Sequence, residues 1–511
     1  MDVLKKRLAL FCAILLLLVA LTLCGTKTEK PKSTETATTN REEDPTEEIR
    51  NDVDDLPDDL DFEQHTIRLF SYVQSETVRE MLQEESEVNV VQDAMFKRNL
   101  NLEDRLNCRI EVYERVGDTN SNFITDEITN LINGGFDTYN IMTTAGYRMC
   151  AMAQRGHFAN LLDLPFINTE KDYYSQGYND ALSVGNAQYL LTGQFSLSYY
   201  RYMIGMFFNK NLFTDAGVEY PYQTVLNGDW DFHEVAELSA NFYIDLNGQG
   251  DVNVDDQFGY VMWAGSGSSL TDGYMASAGL RVVGKDGENF YVSDLSSTAN
   301  FSNAIDKILE MMYGDGSYTS STYFDVVGKF TAGTAALTSF RLFFLEETGM
   351  KNLGETKQGY GILPLPKSDS ETQDEYYSYI QDQCLLYAIP RTVGGAKRVE
   401  SSQFLEAYAS ESYQTVKSAY YERALTSRYA KDPESVRMLE IMESSTFFDP
   451  ANIYIGTAFK AFGTTQLRDM YASDTNTISS LLKGKRDLIV EEVIKLNQTF
   501  QELWKASEEA R

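Results

Sequence analysis

Thr66-Ile-Arg-Leu-Phe-Ser-Tyr-Val73 is a β-rich run free of glycine and proline, and behind it Val91 to Asn107 reads as a helix with Met95, Leu102 and Leu106 on one side. Cys108 to Tyr113 (CRIEVY) then alternates apolar and polar residues as a second strand. Strand, helix, strand is the opening of an α/β fold. Working outward, Phe136 to Thr143 (FDTYNIMT) is a third strand and Ala145 to Phe158 a helix leaving its carboxyl end, the edge at which open α/β sheets hold ligands. Met203 to Phe208 and Tyr260 to Trp263 are extended. Phe232 to Phe242 is helical, with Val235, Leu238, Ser239 and Phe242 at helical spacing and Asp231 and Glu234 placed as a capping box. Residues 401–429 and 477–508 read as long helices, the second carrying Leu481, Leu482, Leu488, Ile489, Val493 and Leu496 as its apolar positions.

The chain has 511 residues, 43% of them hydrophobic, enough for two or three domains or one large two-lobed body. Its 44 Lys and Arg stand against 76 Asp and Glu, a formal charge of -32. That balance repels phosphate backbones and excludes nucleic acid as a partner. It also disfavours adsorption of the body to anionic lipid, so membrane attachment requires a dedicated segment.

The N-terminus supplies one. Lys5, Lys6 and Arg7 precede fourteen apolar residues, Leu8 to Leu21, too few for an ordinary spanning helix, which marks residues 1–23 as an export signal. The run ends Leu21-Thr22-Leu23-Cys24-Gly25, which resembles a bacterial lipobox, with Leu23 where Gly, Ala or Ser is usual; Cys24 is the expected diacylated residue. Gly25 to Phe62 carries five basic and thirteen acidic residues with few large apolar ones, the composition of a disordered tether, so residues 24–62 are assigned to the lipidated Cys and its tether. Beyond Cys24 the mature chain keeps Cys108, Cys150 and Cys384, without CxxC spacing, so at most one disulfide forms.

Catalytic signatures are absent from the sequence. His65, His157 and His233 form no metal motif and are assigned to surface or packing roles; there is no P-loop, no G-x-G-x-x-G after a strand and no G-x-S-x-G elbow. One ion-binding pattern stands out. Asp245, Asn247, Gln249, Asp251 and Asp256 fall at EF-hand positions around Gly250, with Gln249 and the short Asp256 departing from the usual ligands, and a structural Ca²⁺ is the expectation against a plain acidic loop. Aromatics are the other resource: 32 Tyr, 28 Phe and 3 Trp, several beside polar residues, as at Tyr147-Arg148, Tyr199-Tyr200-Arg201-Tyr202, Trp263 and Phe340-Arg341. Flat apolar faces next to hydrogen-bond donors suit a sugar, which presents C–H faces and hydroxyl edges. Trp230 is read as structural, at the entrance to the Phe232 helix.

From Asp137-Thr-Tyr-Asn-Ile-Met-Thr and Arg155-Gly-His-Phe-Ala-Asn-Leu-Leu-Asp-Leu, through Met206-Phe-Phe-Asn-Lys-Asn-Leu-Phe, Gly217-Val-Glu-Tyr-Pro-Tyr, Asn227-Gly-Asp-Trp-Asp-Phe and Phe258-Gly259, to Gly361-Ile-Leu-Pro-Leu-Pro-Lys, Ala388-Ile-Pro and Ser418-Ala-Tyr-Tyr-Glu, the chain resembles the family 1 extracellular solute-binding proteins of ABC importers. Asp231 stands where that family commonly has Thr, and the tail beyond about 450 has no counterpart in it. The resemblance implies a type II periplasmic-binding-protein-like fold, two α/β lobes with mixed sheets flanked by helices and a helical C-terminus. Lobe one would take residues 63–185 and about 361–415, and lobe two 186–360 and about 416–511. It implies a monomeric carrier without enzymatic activity, anchored by lipid outside the cell membrane, that closes on a solute, most often an oligosaccharide, and delivers it to permease subunits. By position along the motifs, Tyr147, Arg148, Trp263, Phe340 and Arg341 are the ligand candidates, Tyr147 and Phe340 stacking and the two arginines donating to hydroxyls. A surface glycan hydrolase and a sensor for a membrane receptor are the alternatives.

Overall fold

The computed structural model describes residues 51–73, 80–81, 84–85, 89–116, 123–265, 268–293, 298–421, 432–454 and 464–509. The export signal, Cys24 and residues 25–50 of the tether lie outside them. Among the described residues no helix is long and apolar enough to cross a membrane.

The opening strand, helix and strand form as the alternation requires: β1 (Thr66–Val73), α1 (Val90–Leu106) and β2 (Arg109–Val116), with β1 and β2 parallel from Thr66↔Arg109 to Val73↔Val116. Asn89 caps α1, its side chain accepting from the Val91 and Gln92 N–H groups. After α2 (Phe123–Asn133), β3 (Ile141–Ala145) adds to the other side of β1 and runs into α3 (Gly146–Ala153). This strand starts five residues later than Phe136, because the Gly135 and Phe136 N–H groups go back to the Ile132 and Leu131 carbonyls that end α2. Likewise α3 stops at Ala153 rather than Phe158. Gly156 adopts φ +69° and its N–H returns to Ala153, a left-handed helix terminator. Alternation along β1 splits the core: Ile67 and Leu69 pack with Leu102, Leu106, Phe404 and Tyr408, while Phe70 and Tyr72 pack with Ile124, Ile128 and Met149.

The second sheet gathers β4 (Met203–Asn209), β5 (Phe258–Trp263), β8 (Ser317–Ser320), β9 (Ala335–Arg341) and β10 (Tyr360–Leu363) in the order β10-β4-β9-β5-β8, with β11 (Tyr379–Ile380) also on β4. The α4 helix (Phe232–Phe242) lies close on β5: a Cβ at Gly259 would sit 2.1 Å from the Ser239 Cα, so only glycine fits. Asp231 caps α4, accepting from the Glu234 N–H at 2.9 Å. Between β5 and β8 come α5 (Asp272–Ser277), a hairpin of β6 (Val283–Asp286) and β7 (Asn289–Val292), and α6 (Thr298–Tyr313). Finally β12 (Leu385–Ala388) returns to the first sheet, antiparallel to β3, giving the order β12-β3-β1-β2. The α7 helix (Gly395–Ser412) follows, six residues ahead of the expected start at 401, with a π-helical turn over Tyr413–Lys417. The tail contributes α8 (Pro450–Ile453), α9 (Thr464–Ala472) and the long α10 (Ile478–Glu509).

Three boundaries differ from expectation; residues 186–191, assigned to lobe two, join the first sheet's lobe, since Leu191 and Tyr387 exchange both backbone hydrogen bonds. The stretch from 361 to 380, assigned to lobe one, pairs in the second sheet, because β10 and β11 take the free edge of β4. The tether assigned through Phe62 ends earlier. Leu56 and Phe62 are buried, Asp54 forms a two-pronged ion pair with Arg105 (2.7 and 2.8 Å), and the Asp55 carboxylate accepts from the buried Lys171 at 2.6 Å. Two apolar anchors and two ion pairs suffice to order a segment whose average composition is that of a disordered one. Cys108, Cys150 and Cys384 are all buried free thiols, and burial pushes Cys108 and Cys384 up to about 12. His65 faces Glu400 and His233 faces Glu237 on the surface; buried His157 meets the Thr129 hydroxyl at 3.2 Å, and burial lowers it to about 4.

Glu406 on α7 is buried, with Tyr174 donating to it at 2.7 Å and Tyr173 to its other oxygen, and burial raises it from 4.5 to about 7. The folded state therefore keeps a proton that the unfolded chain releases, so this group's contribution to stability is complete below pH 4.5 and is lost as pH rises through about 7. Calorimetry of Glu406→Gln is expected to show a flatter melting profile between those two values. Parallel profiles for the variant and the native protein would mean that Glu406 is already ionised in the fold.

Candidate functional site

Strand direction brings two edges together. The carboxyl ends of β1 and β3 form one edge of the first sheet, and the carboxyl ends of β5 and β9 form one edge of the second, with β4 starting beside Arg341 and β12 starting beside Ala145. Residues 381–384 run from β11 at the second edge to β12 at the first.

This segment places the candidate residues. Its Cys384 and Asp382 carbonyls accept from the Gly146 and Tyr147 N–H groups at 2.9 and 3.1 Å, satisfying the free N-terminus of α3. A Cβ at Gly146 would lie 3.0 Å from the Asp382 carbonyl, so glycine permits the approach. Tyr147 is thereby fixed at the edge. Arg148 donates from Nε to the Tyr147 hydroxyl at 3.0 Å and lies over the Tyr147 and Tyr72 rings at 5.1 and 5.7 Å. Across the segment, Gln381 donates from its backbone to Tyr202 and from Nε2 to Ser269, and its Oε1 accepts from Arg341 at 3.2 Å, while Arg341 lies 5.6 Å over Tyr202. Ser268 in turn donates to the Trp263 carbonyl at 2.7 Å. Tyr147 and Arg341 thus both bond to one short crossing segment, with Arg148 beside Tyr147, and Trp263 near it through the Ser268–Ser269 turn.

Phe340 is not among them. It is 2% exposed and stacks on Phe344 at 4.2 Å, because β9 turns its side chain toward the helices that cover the sheet. Phe340 also meets Tyr323 edge-on at 5.8 Å; Tyr323 in turn meets Trp263 at 5.4 Å, and its neighbour Phe324 is 79% exposed. Tyr72, Tyr202, Tyr323 and Gln381 stand beside the candidate residues without having been singled out as candidates themselves. Tyr202 closes the Tyr199-Tyr200-Arg201-Tyr202 run, the one signal available, and is as buried as Tyr199 and Tyr200.

Beneath the site lies a charged layer. Burial raises Asp382 to about 6, reinforced by Asp272 and opposed by Arg468 and Arg341. The set holds no nucleophile and base pair of the Ser-His kind; its chemistry is stacking faces, guanidinium donors and an amide.

The EF-hand-like residues bond largely within their own loop. Among the described residues no group of three or more His, Cys, Asp and Glu side chains could hold a metal ion. Asp245 accepts from the Gly248 and Gly250 N–H groups at 2.6 and 2.9 Å, and Asn247 from Gln249. Asp256 is buried and turned inward, accepting from Leu246, Asn253 and Tyr243, while Asp251 remains exposed. The buried Lys329 ammonium donates to the Asp256 main-chain carbonyl at 2.6 Å.

No protein-family model matches the sequence, and no curated protein matches it. Solved structures do. An ABC substrate-binding protein of Listeria monocytogenes in complex with cycloalternan matches at TM-score 0.52 and 14% identity, over 83% of this chain and 98% of that one. The fold is the two-lobed periplasmic-binding-protein fold. The galacto-N-biose-/lacto-N-biose I-binding protein of an ABC transporter from Bifidobacterium longum matches at 0.53 and 11% identity, over 86% and 97% of the two chains. The GacH receptor of Streptomyces glaucescens, solved unliganded and with acarbose, matches at 0.51 and 13%, over 86% and 99%. In a periplasmic-binding-protein fold the two facing edges described above are the walls of the inter-lobe cleft.

Proposed function

We propose that this chain is the solute-capturing component of an ABC importer, holding an uncharged oligosaccharide in the inter-lobe cleft and delivering it to membrane permease subunits. The observation that carries the reading is that Tyr147 of the first lobe and Arg341 of the second both bond to residues 381–384, with the Arg148 guanidinium and the Tyr72 and Tyr202 rings beside them. Rings offer the sugar its apolar faces and the arginines its hydroxyl partners. The sugar-binding proteins that share the fold support the ligand class. An export signal and a lipidated Cys24 would hold the body on the extracytoplasmic side of the membrane, and Cys24→Ala is then expected to release it.

The test is a thermal-shift screen across oligosaccharides, since a ligand that binds only the folded state raises the melting temperature. Tyr147→Ala and Trp263→Ala are each expected to weaken the best ligand by tenfold to hundredfold, about 1–3 kcal/mol, measured by titration calorimetry. Phe340→Ala should act on stability instead. A ligand recovered chemically altered would replace the carrier by the glycan hydrolase.

A further inference from the structure

The tail beyond residue 450 and the β6–β7 hairpin share a feature that the cleft does not explain: both belong to the second half of the chain and both grip the first lobe. Residues 156–191 are part of the first lobe, since Ala159 donates to the Ile389 carbonyl and Leu191 exchanges both backbone hydrogen bonds with Tyr387. Phe158 bridges to Pro390, past the end of β12 that points away from the cleft edge.

The hairpin takes hold of this stretch at 180–185. Lys285 donates to the Asp180 carbonyl and carboxylate, both at 2.8 Å, and to the Ser183 hydroxyl at 2.7 Å, while the Gly185 N–H reaches the Glu288 carbonyl at 2.6 Å. The hairpin is itself fixed by the tail. The buried Asp449 accepts from the Val282 and Val283 N–H groups at 2.6 and 3.1 Å, and Asn497 of α10 exchanges two hydrogen bonds with Phe290 at 2.8 and 3.1 Å. The tail then reaches the first lobe directly. Phe448 lies 4.4 Å from Tyr178, the Tyr454 hydroxyl donates to Leu182 at 2.9 Å, and Phe500 packs on Tyr189 at 5.6 Å. Leu503 covers Gly156, where a Cβ would come within 2.6 Å of its methyl group.

In consequence, apolar packing is continuous from one lobe to the other: Met149, Phe158, Tyr178 and Tyr189 of the first lobe share a cluster with Tyr454 and Phe500 of the tail and with Ile305 and Met312 of the second lobe. Two lobes joined only by crossing segments rotate freely about them. Two lobes that also share a core must slide packed side chains to do so, and such cores resist continuous deformation.

We infer that the β6–β7 hairpin and residues 447–454 and 464–509 are a strap that ties the lobes together away from the cleft mouth and restricts how far the cleft opens. Resting on the carrier reading, the strap also sets affinity. By removing wide-open states from the unliganded ensemble, the strap leaves a larger competent fraction, so the ligand spends less binding energy on closure.

The test is pulsed electron–electron distance measurement on the full chain with Cys12→Ser and Cys24→Ser, spin-labelled through Asp104→Cys on the first lobe and Asp215→Cys on the second. Both positions are exposed, and the described native thiols are buried. Without any sugar, the native strap should give one narrow distribution. Phe500→Ala combined with Lys285→Ala should broaden it toward longer distances; should that pair fail to fold, Lys285→Met alone is read for the same broadening. Identical narrow distributions in native and strap-weakened protein overturn the strap. Sugar affinity forms the second arm, with a loss of about three- to tenfold expected in the weakened protein. A protein that broadens as expected but binds no oligosaccharide keeps the strap and removes the carrier reading; unchanged affinity despite broadening overturns the link between the two.

Discussion

Asp272→Ala is expected to destabilise the protein by about 3–5 kcal/mol, the range for removing one partner of a buried ion pair. Arg468 on α9 grips the Asp272 carboxylate with two N–H groups, Nε at 2.9 Å and Nη2 on the other oxygen, and Asp272 is 2% exposed. Burial pulls Asp272 toward its neutral form, whereas the carboxylate holds Arg468 in its charged one. The two-pronged geometry favours the charged pair. Truncating Asp272 leaves a guanidinium in the interior with Asp382 as its nearest compensation, so the loss is larger than the net worth of the pair. Urea titration of the variant reads it directly. A loss under about 1 kcal/mol would mean that Arg468 swings out to water.

Trp230→Ala carries a comparable expectation, about 3–5 kcal/mol, by a different mechanism. The ring is fully buried, its Nε1 donates to the Pro364 carbonyl at 3.1 Å, and its backbone meets the Tyr376 hydroxyl and the Lys367 N–H at 3.3 and 3.1 Å. Truncation opens a cavity and orphans the Pro364 carbonyl at once. The urea midpoint should fall with little change in slope, while the oligosaccharide affinity of the folded fraction stays unchanged because the ring lies outside the cleft. A variant that kept its midpoint and lost affinity would move Trp230 into the binding site.

These two cases also mark what a sequence can disclose. Trp230 was legible as structural because a tryptophan just ahead of a capped amphipathic helix has a local explanation. The Arg468–Asp272 pair joins residues 196 positions apart, and nothing local distinguishes either from other charged residues. The same division runs through the fold. The βαβ opening follows from alternation within β1 and β2, whereas β10 and β11 went to the wrong lobe because strand partners are chosen by a free sheet edge, not by the strand's own residues. The place of Tyr147 at the sheet edge was legible because a strand running into a helix defines that edge. Phe340 was not, since alternation says that neighbours point to opposite faces but not which face a covering helix will occupy.

Three buried thiols have a meaning beyond packing. With Cys108 and Cys384 held near 12 by burial, only about one sulfur in 10⁵ is a thiolate at pH 7, and the thiolate is the species that oxidants and disulfides attack. Cys150 is pushed in the same direction. A body built this way can cross an oxidising compartment without an isomerase to sort its cysteines. The vulnerable interval is the one before the core closes, so reductant should change the yield of refolding far more than the behaviour of the folded protein.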